Sequence, residues 1–169
     1  AIAAGACHSM MLTDEGAVLS FGTGSYGRLG HGDERVQLEP MAIEALRGVR
    51  VVAMAAGGGH SLVLTDEGGV LSFGAGVSGQ LGHGDDAHQY EPKAIEALRG
   101  VRVVAVAAGG RHSLVLTDGG AVLSFGGGGR GQLGHGDDAP RYEPKMIEAL
   151  RSVRVVAIAA GDEHSMGLT

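Results

Sequence analysis

The chain has 169 residues, of which 44% are hydrophobic and 19% charged, so it is long enough for one domain with a packed core. Its 19 acidic and 13 basic residues are interspersed and leave a net charge of −6, which argues against binding to nucleic acid or anionic lipid. The longest apolar runs, such as 51–56, are far shorter than the about 20 residues of a membrane-spanning helix, and no targeting segment indicates a compartment.

An internal repeat of 52 residues runs through the whole chain. Four motifs recur at this spacing, namely Ala-Ala-Gly-x-x-His-Ser, Ser-Phe-Gly, Leu-Gly-His-Gly-Asp and Glu-Pro. The histidine of the first motif, for example, stands at His8, His60, His112 and His164. Since every landmark keeps the same spacing, no copy carries an insertion. Glycine accounts for 32 of the 169 residues, well over twice its usual share of about 7%, which indicates many tight turns between short strands.

The copy at residues 49–100 shows the elements that one unit is predicted to form. Residues 49–56 are β-branched and small and predict a buried strand, and residues 60–65 alternate and predict a second. Asp66-Glu67-Gly68 predicts a hairpin turn before a third strand at 70–73. A glycine-rich loop over 74–86 leads to 91–98, which begins with Pro92. That segment predicts either an outer edge strand or a helical turn, because periodicity does not separate the two over so few residues.

Four strands in each repeat of this length are typical of propeller blades. The alanine-rich first strand suits the crowded position next to the propeller axis, and Phe73 and Leu71 are predicted to fill the wider space between blades. We therefore predict an all-β fold, a partial β-propeller of about three four-stranded blades in a single array. The predicted blades span residues 1–48, 49–100 and 101–152, with a partial fourth at 153–169.

The four motifs, in this order and repeated three times, resemble the regulator of chromosome condensation repeat over the whole chain. The resemblance implies a seven-bladed propeller, of which this chain would be a fragment, since seven units of 52 residues exceed 169. It also implies three possible activities: guanine-nucleotide exchange on a small GTPase, light sensing, or service as an accessory propeller of a ubiquitin ligase. Exchange in the founding member uses a wedge inserted into a blade, and the strict spacing leaves no such insertion here. Light sensing depends on clustered tryptophans, and this chain has none.

The residues that resemble known chemical motifs are predicted to be structural. The run from Gly22 to Gly27 and its two counterparts match the dinucleotide pattern GxGxxG, but that pattern binds phosphate only where a helix begins at its last glycine. Here Leu-Gly-His-Gly-Asp follows, which is poor helix-forming sequence. We therefore predict a structural loop and no cofactor.

Histidine and cysteine side chains are likewise predicted to have no catalytic or metal-binding role. His60 and its equivalents are predicted to hydrogen-bond the backbone of their own or the next blade, and His83, between two glycines, is predicted to stabilise a turn. Ligands on separate blades rarely converge to about 2.1 Å from one point, as zinc requires. His60 and Ser61 are adjacent in a strand and should point to opposite faces, which does not suit a catalytic triad. Cys7 has no counterpart in the other copies. We therefore predict no catalytic residue, no metal and no enzymatic activity.

Positions that differ between the copies cluster before the histidine, in the glycine loop and before Glu-Pro. Tyrosine and arginine are favoured in protein interfaces, so these differences predict partner contacts; sequence drift on a tolerant surface is the alternative. The candidate contact residues are Tyr26, Arg35, His88, Tyr90, Arg111, Arg130, Arg141 and Tyr142. The predicted function is a non-catalytic scaffold or adaptor for other proteins within a large assembly, with no nucleic acid and no membrane insertion.

Overall fold

A computed structural model describes residues 1–169 and contains fourteen β-strands. The strands are β1 (Ile2–Ala4), β2 (His8–Leu12), β3 (Val18–Gly22), β4 (Gln37–Ala42), β5 (Val51–Ala56), β6 (His60–Thr65), β7 (Val70–Gly74), β8 (Gln89–Ala94), β9 (Val103–Ala108), β10 (His112–Thr117), β11 (Val122–Gly126), β12 (Arg141–Met146), β13 (Ala157–Ala160) and β14 (Ser165–Leu168). The helices are single 3₁₀ turns at Ser25–Gly27, Glu44–Leu46, Glu96–Leu98 and Glu148–Leu150. None of them has the length or the apolar character needed to span a membrane.

Consecutive strands pair antiparallel into three four-stranded sheets, β1 to β4, β5 to β8 and β9 to β12, followed by the two-stranded sheet β13–β14. This arrangement confirms the all-β fold and the partial propeller. The segment 91–98, predicted to be either an edge strand or a helical turn, contains both. Strand β8 ends at Ala94, and a 3₁₀ turn follows at Glu96–Leu98. The first strand of that unit begins at Val51, two residues later than predicted.

The first strand of each sheet lies next to the first strand of the following sheet, since β1 contacts β5, β5 contacts β9 and β9 contacts β13. Small side chains allow this close approach near the axis. Farther out, Phe73 is fully buried in a cluster with Met10 and Val18 of the preceding sheet and with Ile43, which follows β4, and Leu71 packs at its margin. The predicted packing of Phe73 and Leu71 between blades is confirmed. The hydrophobic core therefore lies between the sheets.

The buried histidines join neighbouring sheets through serine side chains. His8 Nε2 lies 2.9 Å from Ser61 Oγ, and that hydroxyl donates to Arg28 O at 2.9 Å. Because the single hydroxyl proton goes to Arg28 O, Ser61 Oγ accepts from His8 Nε2–H, which fixes the tautomer of the ring. The same 2.9 Å contact links His60 to Ser113. The prediction of direct hydrogen bonds to the backbone was wrong: the histidine reaches the serine of the next blade, and the serine reaches the backbone.

Alternation along the strand explains this arrangement. His60 and Ser61 point to opposite faces of their sheet, so His60 faces the following sheet while Ser61 faces the preceding one. A glycine stands three residues before each of these histidines. A Cβ at that position would collide with the imidazole, since on Gly57 it would lie 2.6 Å from His60 Cε1. The second repeated histidine also bonds a serine side chain, since His83 Nε2 lies 3.0 Å from Ser72 Oγ.

We expect Ser61→Ala to lower the free energy of unfolding by about 1–3 kcal/mol, because it leaves the buried His8 Nε2–H and Arg28 O without partners. Urea denaturation measures the change. Ser9→Ala is the matched control, since Ser9 holds the same repeat position and makes no side-chain hydrogen bond. Equal losses for the two variants would contradict a coupling role for Ser61.

Candidate interaction surface

Two kinds of connection meet at the same end of each sheet. His60 pairs with Gly74, which places the turn 57–59 beside the start of the loop 75–88. The equivalent turns are 5–7, 109–111 and 161–163, and the equivalent loops are 23–36 and 127–140. We call this end of the propeller the loop face. The hairpin turns between second and third strands and the Glu-Ala-Leu 3₁₀ turns lie at the opposite end. Two of the three variable regions of the sequence lie in the turns and loops of the loop face, and the third, before Glu-Pro, runs from the end of each loop into the outer strand.

A polar pocket of about 610 Å³ opens on the loop face and reaches from the first sheet to the two-stranded sheet. Gly58, Gly59 and Gly110 of the turns contribute to its wall. The charged and aromatic side chains that line it are Tyr26, Arg28, His88, Arg111, Asp162 and Glu163. We call it the arginine pocket.

Arg28 is the most deeply buried charged side chain of this pocket, with 7% of its surface exposed. Its Nε donates to Ser25 O at 3.0 Å and its Nη1 donates to Gly58 O at 3.1 Å. No acidic side chain forms an ion pair with it. The other two copies have Gln80 and Gln132 at this position. A guanidinium therefore replaces a neutral amide in the first blade.

Tyr26 adopts a conformation that non-glycine residues rarely take. Its φ is +65°, the single positive value among non-glycine residues of the chain. The left-handed backbone costs roughly 1 kcal/mol and turns the ring outward, where 47% of the residue is exposed. The ring lies 4.9 Å from that of His88 between centroids, and Arg28 Cζ lies 5.7 Å from the Tyr26 centroid. Such local strain is typical of sites where a side chain is held for binding.

Three of the predicted contact residues line the pocket: Tyr26, His88 and Arg111. Arg111 is exposed and forms no ion pair within the chain. A fourth, Arg130, lies at the rim, where its Nε is 3.5 Å from Glu163 Oε2. The structure therefore brings half of the predicted residues to one place.

The other predicted residues lie away from the pocket, on or before the outer strands. Arg35 forms a 2.6 Å ion pair with Asp33, and Arg141 forms one of 2.6 Å with Asp137. Tyr90 in β8 and Tyr142 in β12 are partly exposed on these outer strands. The Glu34 carboxylate raises the pKa of Tyr90.

Sequence reasoning missed Arg28. The signal was present, because Arg28-Leu-Gly-His stands where the other copies read Gln-Leu-Gly-His. The difference falls inside an otherwise constant motif, outside the three variable regions, so the clustering of differences does not identify it.

Two other features of the sequence have structural explanations. The GxGxxG loops lead into turns rather than helices, as predicted. The last glycine of the first loop, Gly27, has φ +80°, and a Cβ there would lie 2.5 Å from Tyr90 Cα of the next blade. No group of three or more histidine, cysteine or acidic residues is arranged to hold a metal ion.

The RCC1-like domain family matches residues 1–167 of the chain. The human E3 ubiquitin-protein ligase HERC2 is 41% identical over 170 residues, which cover 99% of this chain and 4% of the ligase. The ultraviolet-B receptor UVR8 of Arabidopsis thaliana is 38% identical over 169 residues, which cover 99% of this chain and 38% of the receptor. The crystal structure of Prp20p from Saccharomyces cerevisiae superposes with a TM-score of 0.90 at 23% identity, over 99% of this chain and 42% of that one, and shows the same fold.

The chain thus spans less than half the length of these relatives. The match to the family nevertheless extends over nearly all of the 169 residues and agrees with the repeated sheets described above. The chain belongs to the RCC1-like domain family.

Proposed function

We propose that this chain is a non-catalytic protein-binding module of a larger assembly, and that it holds a partner protein on its loop face. The observation that carries the proposal is the arginine pocket, where side chains that differ between otherwise similar repeats come together.

The residues that the copies share have structural roles within the scaffold. His60, Ser61 and Phe73 are all buried between blades, and each has an identical counterpart in the third blade. By contrast, Tyr26 and Arg111 correspond to Ser78 and Gly59 of the second copy, so the scaffold does not require them. Drift on a tolerant surface would scatter such differences over the molecule. Tyr26, His88 and Arg111 converge on one pocket, which supports a role in binding, whereas Arg35, Tyr90, Arg141 and Tyr142 lie elsewhere.

The chemistry of the pocket is that of a protein interface. Tyrosine and arginine contribute most to many interfaces, because each combines a large contact area with directional hydrogen bonds. The Tyr26 and His88 rings offer partly exposed apolar faces, and the guanidinium groups of Arg28 and Arg111 offer donors. The residues beside them are glycines, whose backbone allows close approach of a partner chain.

The relatives support an interaction module rather than one particular activity. One is named as a ubiquitin ligase and another as an ultraviolet-B receptor, and the report on Prp20p names binding to Gsp1p and histones. Proteins of such different roles share the propeller, and function depends on sites carried by a fold.

A second candidate is an accessory propeller in a ubiquitin ligase, favoured by the 41% identity to HERC2. Assays of ubiquitin transfer by the full-length parent protein, with and without the repeat array, test this candidate.

Nucleotide release from purified small GTPases tests the exchange activity that the family resemblance implies, and acceleration at catalytic amounts of the array would support it.

We expect the double substitution Tyr26→Ala and His88→Ala to reduce recovery of bound protein by about tenfold, because truncation of interface aromatics removes much of their binding energy. The parent protein, with and without the substitutions, is captured from its native extract, and stoichiometric partners are identified by mass spectrometry. Arg99→Ala is the control, since Arg99 lies at the opposite end of the sheets in an exposed ion pair with Glu96.

Unchanged recovery with the double variant would place the partner elsewhere. Absence of any stoichiometric protein with the wild-type chain would overturn the scaffold function itself.

A further inference from the structure

We propose that the arginine pocket recognises carboxylate side chains, and that its partner presents an extended acidic segment to Arg28 and Arg111. The inference rests on the proposed function and adds to it the chemistry of the partner.

Arg28 has a buried positive charge without a counter-ion. Only 7% of the residue is exposed, and two of its five N–H groups donate to protein, to Ser25 O and Gly58 O. The remaining three have no protein acceptor, although the side chain lines an open pocket. A buried charge is costly unless it is paired. A carboxylate entering the pocket supplies both the opposite charge and the missing acceptors.

The fold does not need a cation at this position. In the second blade Gln80 Oε1 accepts from Ser78 N at 2.8 Å, and Gln132 Oε1 accepts from Arg130 N at the same distance. An arginine has no acceptor to offer, and Glu34 Oε1 takes the equivalent backbone N–H, that of Tyr26, at 3.2 Å. The first blade therefore tolerates Arg28 through a substitute hydrogen bond, and gains from it two hydrogen bonds to backbone carbonyls and three donors that protein leaves unused.

Arg111 brings a second guanidinium into the same pocket. Arg28 donates to Gly58 O, and a Cβ on Gly58 would lie 3.1 Å from the Cα of Gly110, the neighbour of Arg111. The acidic side chains of the pocket belong to the turn 161–163: Asp162 Oδ1 lies beside Gly110, and Glu163 Oε2 is 3.5 Å from Arg130 Nε. Arg28, which bonds the turn 57–59 and not the turn 109–111 beside Asp162, therefore marks the end of the pocket that receives a carboxylate, and Arg111 lies on the neighbouring turn.

An acidic protein segment fits this site better than a nucleic acid does. The net charge of −6 opposes both ligands, but it opposes a phosphate backbone, with its uniform and dense negative charge, more than a short peptide with one or two carboxylates. A short peptide can place one or two carboxylates on the arginines and its apolar groups on Tyr26 and His88. The pocket volume of about 610 Å³ accommodates several side chains.

The test is selection of a random peptide library, displayed on phage, against the wild-type array. We expect the bound pool to be enriched in aspartate and glutamate. Arg28→Gln is expected to weaken binding of the selected peptides about 30-fold, since it removes one partner of a buried charge pair. Arg111→Gly is expected to weaken it about threefold, because that charge is exposed. Fluorescence anisotropy with labelled peptides gives both dissociation constants.

Both substitutions install residues that other copies already have at the same position, so the fold is expected to be kept, and circular dichroism checks it. Arg47→Ala is the control for loss of one positive charge, since Arg47 is exposed and paired with Glu44. A selected pool without acidic residues, no selected pool at all, or acidic peptides that bind Arg28→Gln as tightly as wild type would each overturn the inference. The proposed function is judged separately by the capture experiment, in which a partner lost with Tyr26→Ala and His88→Ala would remain evidence for the loop face.

Discussion

Lowering the pH from 7.5 to 5 is expected to reduce the free energy of unfolding by about 4 kcal/mol through His8 and His60 alone. Both rings are buried and neutral in the folded chain. The pKa of His8 is lowered to about 4 and that of His60 to about 3, whereas both return to 6.5 on unfolding. Above pH 6.5 neither state binds the proton. Below it the unfolded state binds protons that the folded state excludes, so stability is lost as the pH falls from 6.5 toward 4.

The geometry accounts for the direction of these pKa shifts. Burial is the main cause for both rings, and the Arg28 charge lowers the pKa of His8 further, as do the neighbouring histidines for His60. Nε2 of each ring already donates to serine, while Nδ1 is buried without a partner. A proton added at Nδ1 would therefore create a buried charge with no acceptor. Burial also lowers the pKa of His112, which adds to the effect in the same direction.

Urea denaturation at a series of pH values between 7.5 and 5 measures this dependence. His60→Gln is expected to make the slope shallower by about 1.4 kcal/mol per pH unit below pH 6, because one titrating group is removed. His8→Gln serves as a second variant if the first is too unstable to study. A stability that stays constant down to pH 5 would show that the rings accept protons in the folded state.

Phe73→Ala is expected to lower the free energy of unfolding by about 3–5 kcal/mol, the usual cost of truncating a fully buried phenylalanine. The ring is completely buried between the first two sheets, and a Cβ on Gly30 would lie 3.0 Å from its Cε2. Because backbone packs so closely around the ring, its removal leaves a cavity that the surrounding structure cannot easily fill. Chemical denaturation of the array gives the difference directly.

Phe21→Ala is the matched control for Phe73→Ala. Phe21 occupies the same repeat position in the first sheet and is only partly buried. We expect it to cost less than half as much. If the two substitutions were equally destabilising, the phenylalanine would act within its own sheet and the packing between sheets would not be the source of stability.

The uniform repeat made the sheets predictable, because each strand signal was seen three times in the same register. The segment around Pro92 could not be assigned from its pattern, since it is a strand up to Ala94 and a 3₁₀ turn from Glu96, each too short for periodicity to identify. The hydrogen-bond partner of His60 could not be predicted from the sequence either. It lies in the next blade, 53 residues along the chain, and adjacency in sequence only indicated that His60 and Ser61 would face apart.

The arginine pocket was only partly predictable for a similar reason. Differences between copies identified Tyr26, His88 and Arg111 as positions that the scaffold leaves free. They could not tell which of these positions meet, because that depends on how turns and loops from neighbouring blades come together at one end. The pairing of Arg35 with Asp33 and of Arg141 with Asp137 likewise depends on loop geometry that sequence differences do not contain.

Each serine hydroxyl that receives a histidine from the preceding blade connects two neighbours and no others. The array is therefore coupled in one dimension, with nearly the same interaction energy at every step. Removal or duplication of a whole 52-residue unit would leave the chemistry of each remaining junction unchanged. A gain or loss of a whole unit would therefore preserve these histidine–serine contacts, whereas an insertion of a few residues within a unit would shift the register of the contacts it makes.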